Sequence, residues 1–211
     1  MQIKHELQNI ISGDGQVRHG EIIQSITRYL RGKKKANSGT EKTKFIKEQE
    51  KEILLNFIEE RFLHFDLPHE STFLGAGAEQ KVYESSDPRF VIKLNDTIFY
   101  EFWEDYFNSL LLHNYFFPHL AYELLGFCQQ KTDLYAVVKQ PFVRSDEFTH
   151  LANVKDFLEE NGFVNTKNND YHHPELGVIL EDLHDENVLT EGGTLQFIDT
   201  VFYLTPKFYE H

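Results

Sequence analysis

LEDLHDENVLTEGGTLQFID, residues 180–199, is the stretch of sequence that decides the fold. Apolar residues flank a polar loop, which offers Asp182 and, five residues further on, Asn187. A second carboxylate, Asp199, follows beyond a turn with two glycines. Mg²⁺ prefers oxygen ligands, and phosphoryl transfer also needs a carboxylate that orients the attacking hydroxyl. The spacing therefore predicts a phosphoryl-transfer site, with Asp182 as the base and Asn187 and Asp199 as metal ligands.

The order Asp-x-x-x-x-Asn, two short strands and then apolar-apolar-Asp resembles the catalytic arrangement of the protein-kinase-like superfamily. The His of Asp182-Leu183-His184 is more similar to the aminoglycoside and choline phosphotransferases. The chain also resembles the kinase domain found in polyvalent proteins of phages and conjugative elements. Three segments carry that likeness: LHNYFFPHLAYELLG (112–126), YAVVKQPFV (135–143) and residues 177–189. It covers roughly residues 70–205 and implies an atypical kinase that uses ATP and Mg²⁺.

The fold expected from this resemblance is α+β, a reduced protein-kinase-like fold with two lobes. An antiparallel sheet and one helix would form the N-lobe, about residues 67–140, and a minimal C-lobe would occupy residues 146–211. Residues 139–146 would be the hinge between them. Residues 1–66 would form a basic helical extension that precedes the kinase-like domain, residues 67–211.

Charge is distributed unevenly along the chain. Residues 1–50 carry ten Lys or Arg and six Asp or Glu, whereas residues 51–211 carry eleven and twenty-eight. The acidic main body makes nucleic acid an improbable partner, because phosphate contacts need clustered Lys and Arg. No segment is apolar for the length of a membrane-spanning helix, and no signal-peptide pattern starts the chain. We therefore expect a cytoplasmic protein without a membrane partner, and the single Cys128 excludes an internal disulfide.

Short strands begin after Pro68, and the first turn among them contains Gly75 and Gly77. Glycines let a backbone approach phosphates closely, so these two residues and Val82 are predicted to border the nucleotide. An ordinary hairpin turn would explain the two glycines equally well. The third glycine of the kinase pattern is replaced by Gln80, which puts close backbone contact there in doubt.

Lys93 lies within an apolar strand, where an unpaired ammonium group would be costly. The kinase resemblance implies that Lys93 contacts the α- and β-phosphates and pairs with a Glu of the next helix. That helix is predicted over Thr97 to Tyr115, and both Glu101 and Glu104 are candidates, with Glu104 preferred. An edge-strand lysine with its head in water is the alternative.

The predicted hinge adds two further candidates for nucleotide binding. Gln140 would lie beside the adenine, which neighbouring backbone groups would read because Pro141 has no amide hydrogen. Asp146 or Glu147 would bind the ribose hydroxyls, or the two would be charge at the N-terminus of a helix over residues 148–161. His172 and His173 are adjacent in a predicted strand and point to opposite faces, so they are interpreted as structural.

Two helices are predicted in the N-terminal extension. One spans Gly20 to Leu30, an exposed basic loop follows over Arg31 to Gly39, and a second helix starts near Thr40. The basic loop could contact nucleic acid or an acidic partner, or the basic helices could dock on the acidic body, although a solvated linker is the simpler interpretation.

The function predicted from these features is transfer of the ATP γ-phosphate to a hydroxyl of a protein or small molecule. Only twelve residues follow Asp199, so no activation segment is expected, as in a minimal enzyme or a domain of a longer protein. Two alternatives remain open: a pseudokinase that serves as a nucleotide-binding interaction module, and an adaptor of a mobile element that acts through the basic helices. The acceptor itself is not predicted.

Overall fold

The computed structural model describes residues 2–34, 43–67, 71–77 and 80–210. Within these ranges helices and strands are mixed, which confirms the predicted α+β class. None of the described helices is long and apolar enough to span a bilayer. The α-helices are α1 (Gln2–Ser12), α2 (Gly20–Lys34), α3 (Thr43–Arg61), α4 (Trp103–Phe116) and α5 (Leu151–Glu160).

A five-stranded antiparallel sheet has the order β1-β2-β3-β5-β4. β3 lies in the middle, where β-branched Val91 and Ile92 are buried and fit a pleated surface. Lys93 of β3 pairs in register with Val82 of β2 and with Val138 of β5, so the sheet holds this lysine at its centre. The strands are β1 (Phe73–Ala76), β2 (Gln80–Glu84), β3 (Phe90–Asn95), β4 (Glu123–Gln130) and β5 (Asp133–Pro141).

The second half of the chain forms a four-stranded antiparallel sheet in the order β11-β8-β7-β6 and a separate hairpin of β9 and β10. β8 pairs with β11 so that Glu181 lies opposite Val201. The loop that follows β8 and the loop that precedes β11 are therefore at the same end of the sheet. The strands are β6 (Val164–Lys167), β7 (Asp170–His173), β8 (Val178–Glu181), β9 (Val188–Glu191), β10 (Thr194–Phe197) and β11 (Val201–Leu204).

Helix α4 is held at its N-terminus by helix α3. The backbone N–H of Trp103 donates to Oε2 of buried Glu50 at 2.6 Å, and an anion at this position is favoured by the helix dipole. Lys47 donates to the carbonyls of Thr97 and Tyr100, which lie just ahead of the helix. The helix predicted from Thr97 starts at Trp103 because residues 97–100 form this anchored turn.

The N-terminal helices share a hydrophobic core with the rest of the molecule. Leu7 of α1 and Ile23 and Ile26 of α2 are fully buried in the same cluster as Phe107 of α4. Helix α1 is not among the predicted helices, and the loop expected from Arg31 is helical as far as Lys34. Residues 35–42, and with them the predicted start near Thr40, lie outside the described part of the chain. The predicted boundary between residues 66 and 67 remains a prediction.

Several basic side chains of the extension bind this chain itself. Arg31 pairs with Glu104 and donates to the carbonyl of Ile11, and Arg18 donates to the carbonyl of Pro118. These contacts occupy part of the positive charge that the sequence offers to an acidic partner. A protein partner of the basic helices therefore stays a prediction.

Gly177, just ahead of β8, provides a test of the packing. Its φ is +69°, and a Cβ there would lie 2.4 Å from the backbone nitrogen of Phe208. We expect Gly177→Ala to lower the free energy of unfolding by about 3 kcal/mol, from positive-φ strain together with overpacking. Denaturant unfolding would measure this loss.

Gly192 is the matched control, because its φ is +56° but a Cβ would meet no atom within 4 Å. Gly192→Ala should cost about 1 kcal/mol, from the strain alone. Equal losses in the two variants would contradict the close approach of the C-terminal segment to Gly177.

Candidate active site

The loop between β8 and β9 holds the predicted base and one predicted metal ligand. Asp182 has a φ of +65°, and its backbone N–H donates to Oδ1 of Asp170 at 3.1 Å. Nδ2 of Asn187 donates to the carbonyl of Asp182 at 2.8 Å and to its carboxylate Oδ2 at 3.0 Å. Since Nδ2 is used in this way, Oδ1 of Asn187 is the atom that can serve a metal.

The second predicted metal ligand is tied to this loop through the backbone. The N–H groups of Ile198 and Asp199 both donate to the carbonyl of Asn187, at 3.0 and 3.2 Å. Asp182, Asn187 and Asp199 consequently border one cavity of about 580 Å³. The structure thus brings together the three residues that the spacing singled out.

Lys93 faces the Asp199 loop from the first sheet. Its Nζ donates to the carbonyl of Ile198 at 2.9 Å and lies 3.8 Å from Oδ2 of Asp199. The side chain is almost fully buried, and burial lowers the pKa of Lys93, while the negative charge of Asp199 opposes that shift. The edge-strand alternative is therefore wrong.

The expected ion pair between Lys93 and Glu104 is not formed among the described residues. Because α4 begins at Trp103, Glu104 lies in the first turn of the helix and pairs with Arg31 of α2. Glu101 lies ahead of the helix and is exposed. The ionic partner of Lys93 is Asp199 instead.

A cavity of about 330 Å³ between the five-stranded sheet and the β9–β10 hairpin with its flanking loops has the position expected for a nucleotide. Gly75, Val82, Lys93 and Gln140 border it, and Asp199 lies at its junction with the larger cavity. A Cβ on Gly75 or Gly77 would meet no described atom within 4 Å, so the described part of the chain does not require glycine there for space. A close approach of ligand phosphates is a use for these glycines that agrees with the open space above them.

Two residues of the predicted nucleotide site have other partners. The side chain of Gln140 is buried and donates to the carbonyl of Leu120, so only part of this residue faces the cavity. The carboxylate of Asp146 accepts from the N–H of Gly192 at 3.0 Å and fixes the β9–β10 turn. Asp146 does not border this cavity, and its assignment to the ribose hydroxyls stays a prediction; it does not cap α5 either, since α5 begins at Leu151.

Gln80 takes the place of the third glycine and borders both cavities. Its Nε2 is 3.5 Å from Oδ1 of Asp199, so the side chain spans the cleft above the predicted metal ligand. Neutral amide and carboxylate are weakly bonded at this distance, and a ligand could displace the contact at small cost.

The larger cavity is strongly acidic. Burial, together with the charges of Asp170 and Asp182, raises the pKa of Glu181. Three aromatic residues border the same space, and Phe99 among them is exposed. The carboxylates around the cavity are those of Asp170, Glu181, Asp182, Glu186 and Asp199.

The residues near the site suit Mg²⁺ held jointly with phosphates. Among the described residues, no group of three or more His, Cys, Asp or Glu side chains could hold a metal alone. Mg²⁺ in nucleotide sites typically takes one or two protein oxygens and completes its shell with phosphates and water. One carboxylate from Asp199 and one amide oxygen from Asn187 fit that pattern.

His113 and Tyr122, which are not among the residues predicted from the sequence, lie behind Lys93 and Asp199. Both are buried, and their rings are 4.5 Å apart. A signal was present, because His113 interrupts the apolar run of α4 and a buried polar group needs hydrogen-bond partners. The identity of those partners could not be deduced from spacing.

Burial lowers the pKa of His113 to about 3, from an ordinary value of 6.5, and the positive charge of Lys93 and the nearby His119 acts in the same direction. The unfolded chain therefore takes up a proton at His113 between about pH 6.5 and pH 3, whereas the folded chain does not. Wild-type stability should fall as pH decreases through this window. In His113→Gln the stability should fall less steeply over the same pH range. The stability difference between the wild type and this variant should therefore become smaller as pH decreases.

Thermal unfolding midpoints of the two proteins across this pH range would check the prediction. Other groups titrate in both proteins and cancel in the difference. A stability difference that stays constant from pH 7 to pH 4 would contradict a neutral buried His113.

The strand order, the central buried lysine and the acidic loops facing it are features of a kinase-like phosphotransferase. The family described as "Serine/Threonine/Tyrosine Kinase found in polyvalent proteins" matches residues 47–206, and the chain belongs to this family. The resemblance seen in the sequence is thereby confirmed. The matched region begins within α3, so α1 and α2 precede it. Searches of curated proteins and of solved structures each returned no significant match.

Proposed function

We propose that this chain is an ATP- and Mg²⁺-dependent phosphotransferase that transfers the γ-phosphate to a hydroxyl of a protein or small molecule. One observation supports this function most strongly: Asp182, Asn187 and Asp199 border the larger cavity together, and Asp199 pairs with Lys93 where that cavity meets the smaller one. The smaller cavity would take the nucleotide, and the larger would take the acceptor. Family membership supports phosphoryl transfer to a Ser, Thr or Tyr hydroxyl.

Each residue has a distinct task in the proposed reaction. Lys93 would bind phosphate oxygens, and Asn187 and Asp199 would hold Mg²⁺, which offsets phosphate charge when it is bound. The carboxylate of Asp182 would accept the proton of the acceptor hydroxyl while the oxygen of that hydroxyl forms a bond to the γ-phosphorus. The bond to the β-phosphate oxygen breaks in the same transfer, and ADP leaves.

The charge of the larger cavity favours a neutral or cationic acceptor. Five carboxylates border it, and an anionic acceptor would be repelled at close range. A peptide hydroxyl flanked by Lys or Arg, or a small amino alcohol, has suitable charge. We also propose that the chain serves as the kinase domain of a polyvalent protein of a mobile element, in the cytoplasm.

ATP turnover with two Ser-containing peptides of equal length, one basic and one acidic, tests the proposal. The expected result is Mg²⁺-dependent formation of ADP and phosphopeptide with the basic peptide, and a KM that rises with salt. Preference for the acidic peptide would contradict the acceptor assignment. Nucleotide binding without transfer to any acceptor would identify an interaction module instead.

A further inference from the structure

We propose that Tyr122 and His113 are positioning residues, which hold Asp199 in place through its two chain neighbours. This inference rests on the proposed function, since Asp199 is taken as a metal ligand. The ion pair expected between Lys93 and a glutamate of α4 is not formed among the described residues, and other contacts from α4 act near Asp199 instead. The four residues that take part in these contacts, Tyr122, Lys93, His113 and Thr200, are called the Asp199 clamp here.

The first half of the clamp acts on Ile198. Its carbonyl oxygen accepts from Nζ of Lys93 and from the hydroxyl of Tyr122, both at 2.9 Å. A carbonyl has two lone pairs, so these two donors saturate it. The ring of Tyr122 also lies 5.5 Å from the ammonium of Lys93, a distance at which cation–π attraction operates.

The second half of the clamp acts on Thr200. The Thr200 hydroxyl is 2.7 Å from Nδ1 of His113, and both residues are buried. Nε2 of His113 lies 3.1 Å from the carbonyl of Leu120, which can only accept, so Nε2 carries the proton. Nδ1 of the neutral ring therefore accepts from the Thr200 hydroxyl.

The two halves are joined behind the site. The rings of His113 and Tyr122 are 4.5 Å apart, and Asn114 binds both backbone groups of Tyr122. Helix α4 thus supports Asp199 through His113 and Asn114, and not through the expected ion pair between a glutamate of α4 and Lys93.

The consequence is a metal ligand with a fixed backbone and an open carboxylate. About 35% of the Asp199 side chain is exposed to the cleft, although Ile198 and Thr200 are anchored on either side. Partners that orient a ligand commonly affect metal affinity or activity by about tenfold to a hundredfold. The clamp should therefore influence how tightly the chain holds Mg²⁺ with nucleotide.

Thr200→Val tests the clamp, because it replaces a hydroxyl by a methyl group of similar size. We expect the apparent dissociation constant for Mg²⁺, measured by thermal shift with a non-hydrolysable ATP analogue, to rise about tenfold or more. Thr200→Ser retains the hydroxyl and should restore the wild-type constant. Tyr122→Phe keeps the ring and should raise the constant in the same direction.

Thr190→Val is the matched control for loss of a buried hydroxyl. Thr190 exchanges a hydrogen bond of 3.0 Å with Thr149 and borders neither cavity. The Thr190→Val variant should have a lower unfolding midpoint but an unchanged apparent dissociation constant for Mg²⁺. This result would separate the positioning effect from simple destabilisation.

Two results would overturn the inference, and they can be told apart. If the wild type shows a Mg²⁺-dependent shift that Thr200→Val and Tyr122→Phe retain unchanged, the clamp is wrong and the proposed function stands. If the folded wild type shows no such shift with nucleotide, the proposed function fails and the clamp fails with it.

Discussion

Asp199→Asn is expected to lower the rate of Mg²⁺-dependent ATP turnover by about a thousandfold. The amide has nearly the same shape but loses the negative charge that a hard cation needs. It also removes the ionic partner of Lys93, whose side chain is almost fully buried. The turnover rate, measured by ADP release at saturating Mg²⁺, is the quantity to compare.

Asp185→Asn is the matched control, because Asp185 is exposed in the neighbouring loop and borders neither cavity. It should retain wild-type turnover. A folded Asp199→Asn protein that turns over ATP within about threefold of the wild type would exclude Asp199 as a metal ligand, since the loss expected for a ligand is several kcal/mol.

Asp182→Asn is expected to reduce kcat by about a hundredfold to ten-thousandfold while the KM for ATP changes little. The carboxylate of Asp182 faces the larger cavity and belongs to the acceptor side, so its loss should affect the transfer step and not nucleotide binding. The bond from Asn187 to Oδ2 can be replaced by one to the new amide oxygen, which preserves the loop. Initial rates over a range of ATP concentrations would separate the two parameters.

An opposite pattern would be informative. A raised KM for ATP with an unchanged kcat would mean that Asp182 binds the nucleotide or its metal. The Asp185→Asn protein again provides the comparison for loss of one negative charge from the same loop.

That the candidate site residues lie close together could be predicted, because the proposed chemistry needs these residue types at this spacing. Asp182 and Asn187 lie in one short loop, and the β9–β10 hairpin that separates them from Asp199 has few ways to fold. The Lys93 strand could be predicted for a related reason, since an apolar β-branched run with one lysine has few other interpretations. Local sequence therefore sufficed for these four residues.

Partners that come from distant parts of the chain could not be predicted. Glu104 was assigned to Lys93 on its position in the following helix, but Arg31 of α2 competes for it across the packed helices. The start of α4 at Trp103 depends on Glu50 of α3, which no local pattern reveals. Asp146 was likewise assigned to the ribose by its position in the chain, whereas in the structure its carboxylate accepts a hydrogen bond from the backbone N–H of Gly192.

The N-terminal helices show the same limit on a larger scale. The basic residue Arg31 and its neighbours resemble a solvated loop in composition, yet they continue α2 because that helix packs on α4. Helix α1 has buried Leu7, Ile10 and Ile11 at helical spacing, but the stretch is short and its polar residues mask the pattern. Tertiary packing overrides weak local preference at both places.

The most direct test of the central claim is calorimetric titration of ATP into the whole chain, once with Mg²⁺ and once with EDTA. We predict saturable binding with Mg²⁺, much weaker binding with EDTA, and loss of the Mg²⁺ dependence in Asp199→Asn. Free nucleotide at a concentration of a hundred times its dissociation constant should also stabilise the fold by about 2.7 kcal/mol. A well-folded protein that binds no ATP under either condition would contradict the assignment of the cleft.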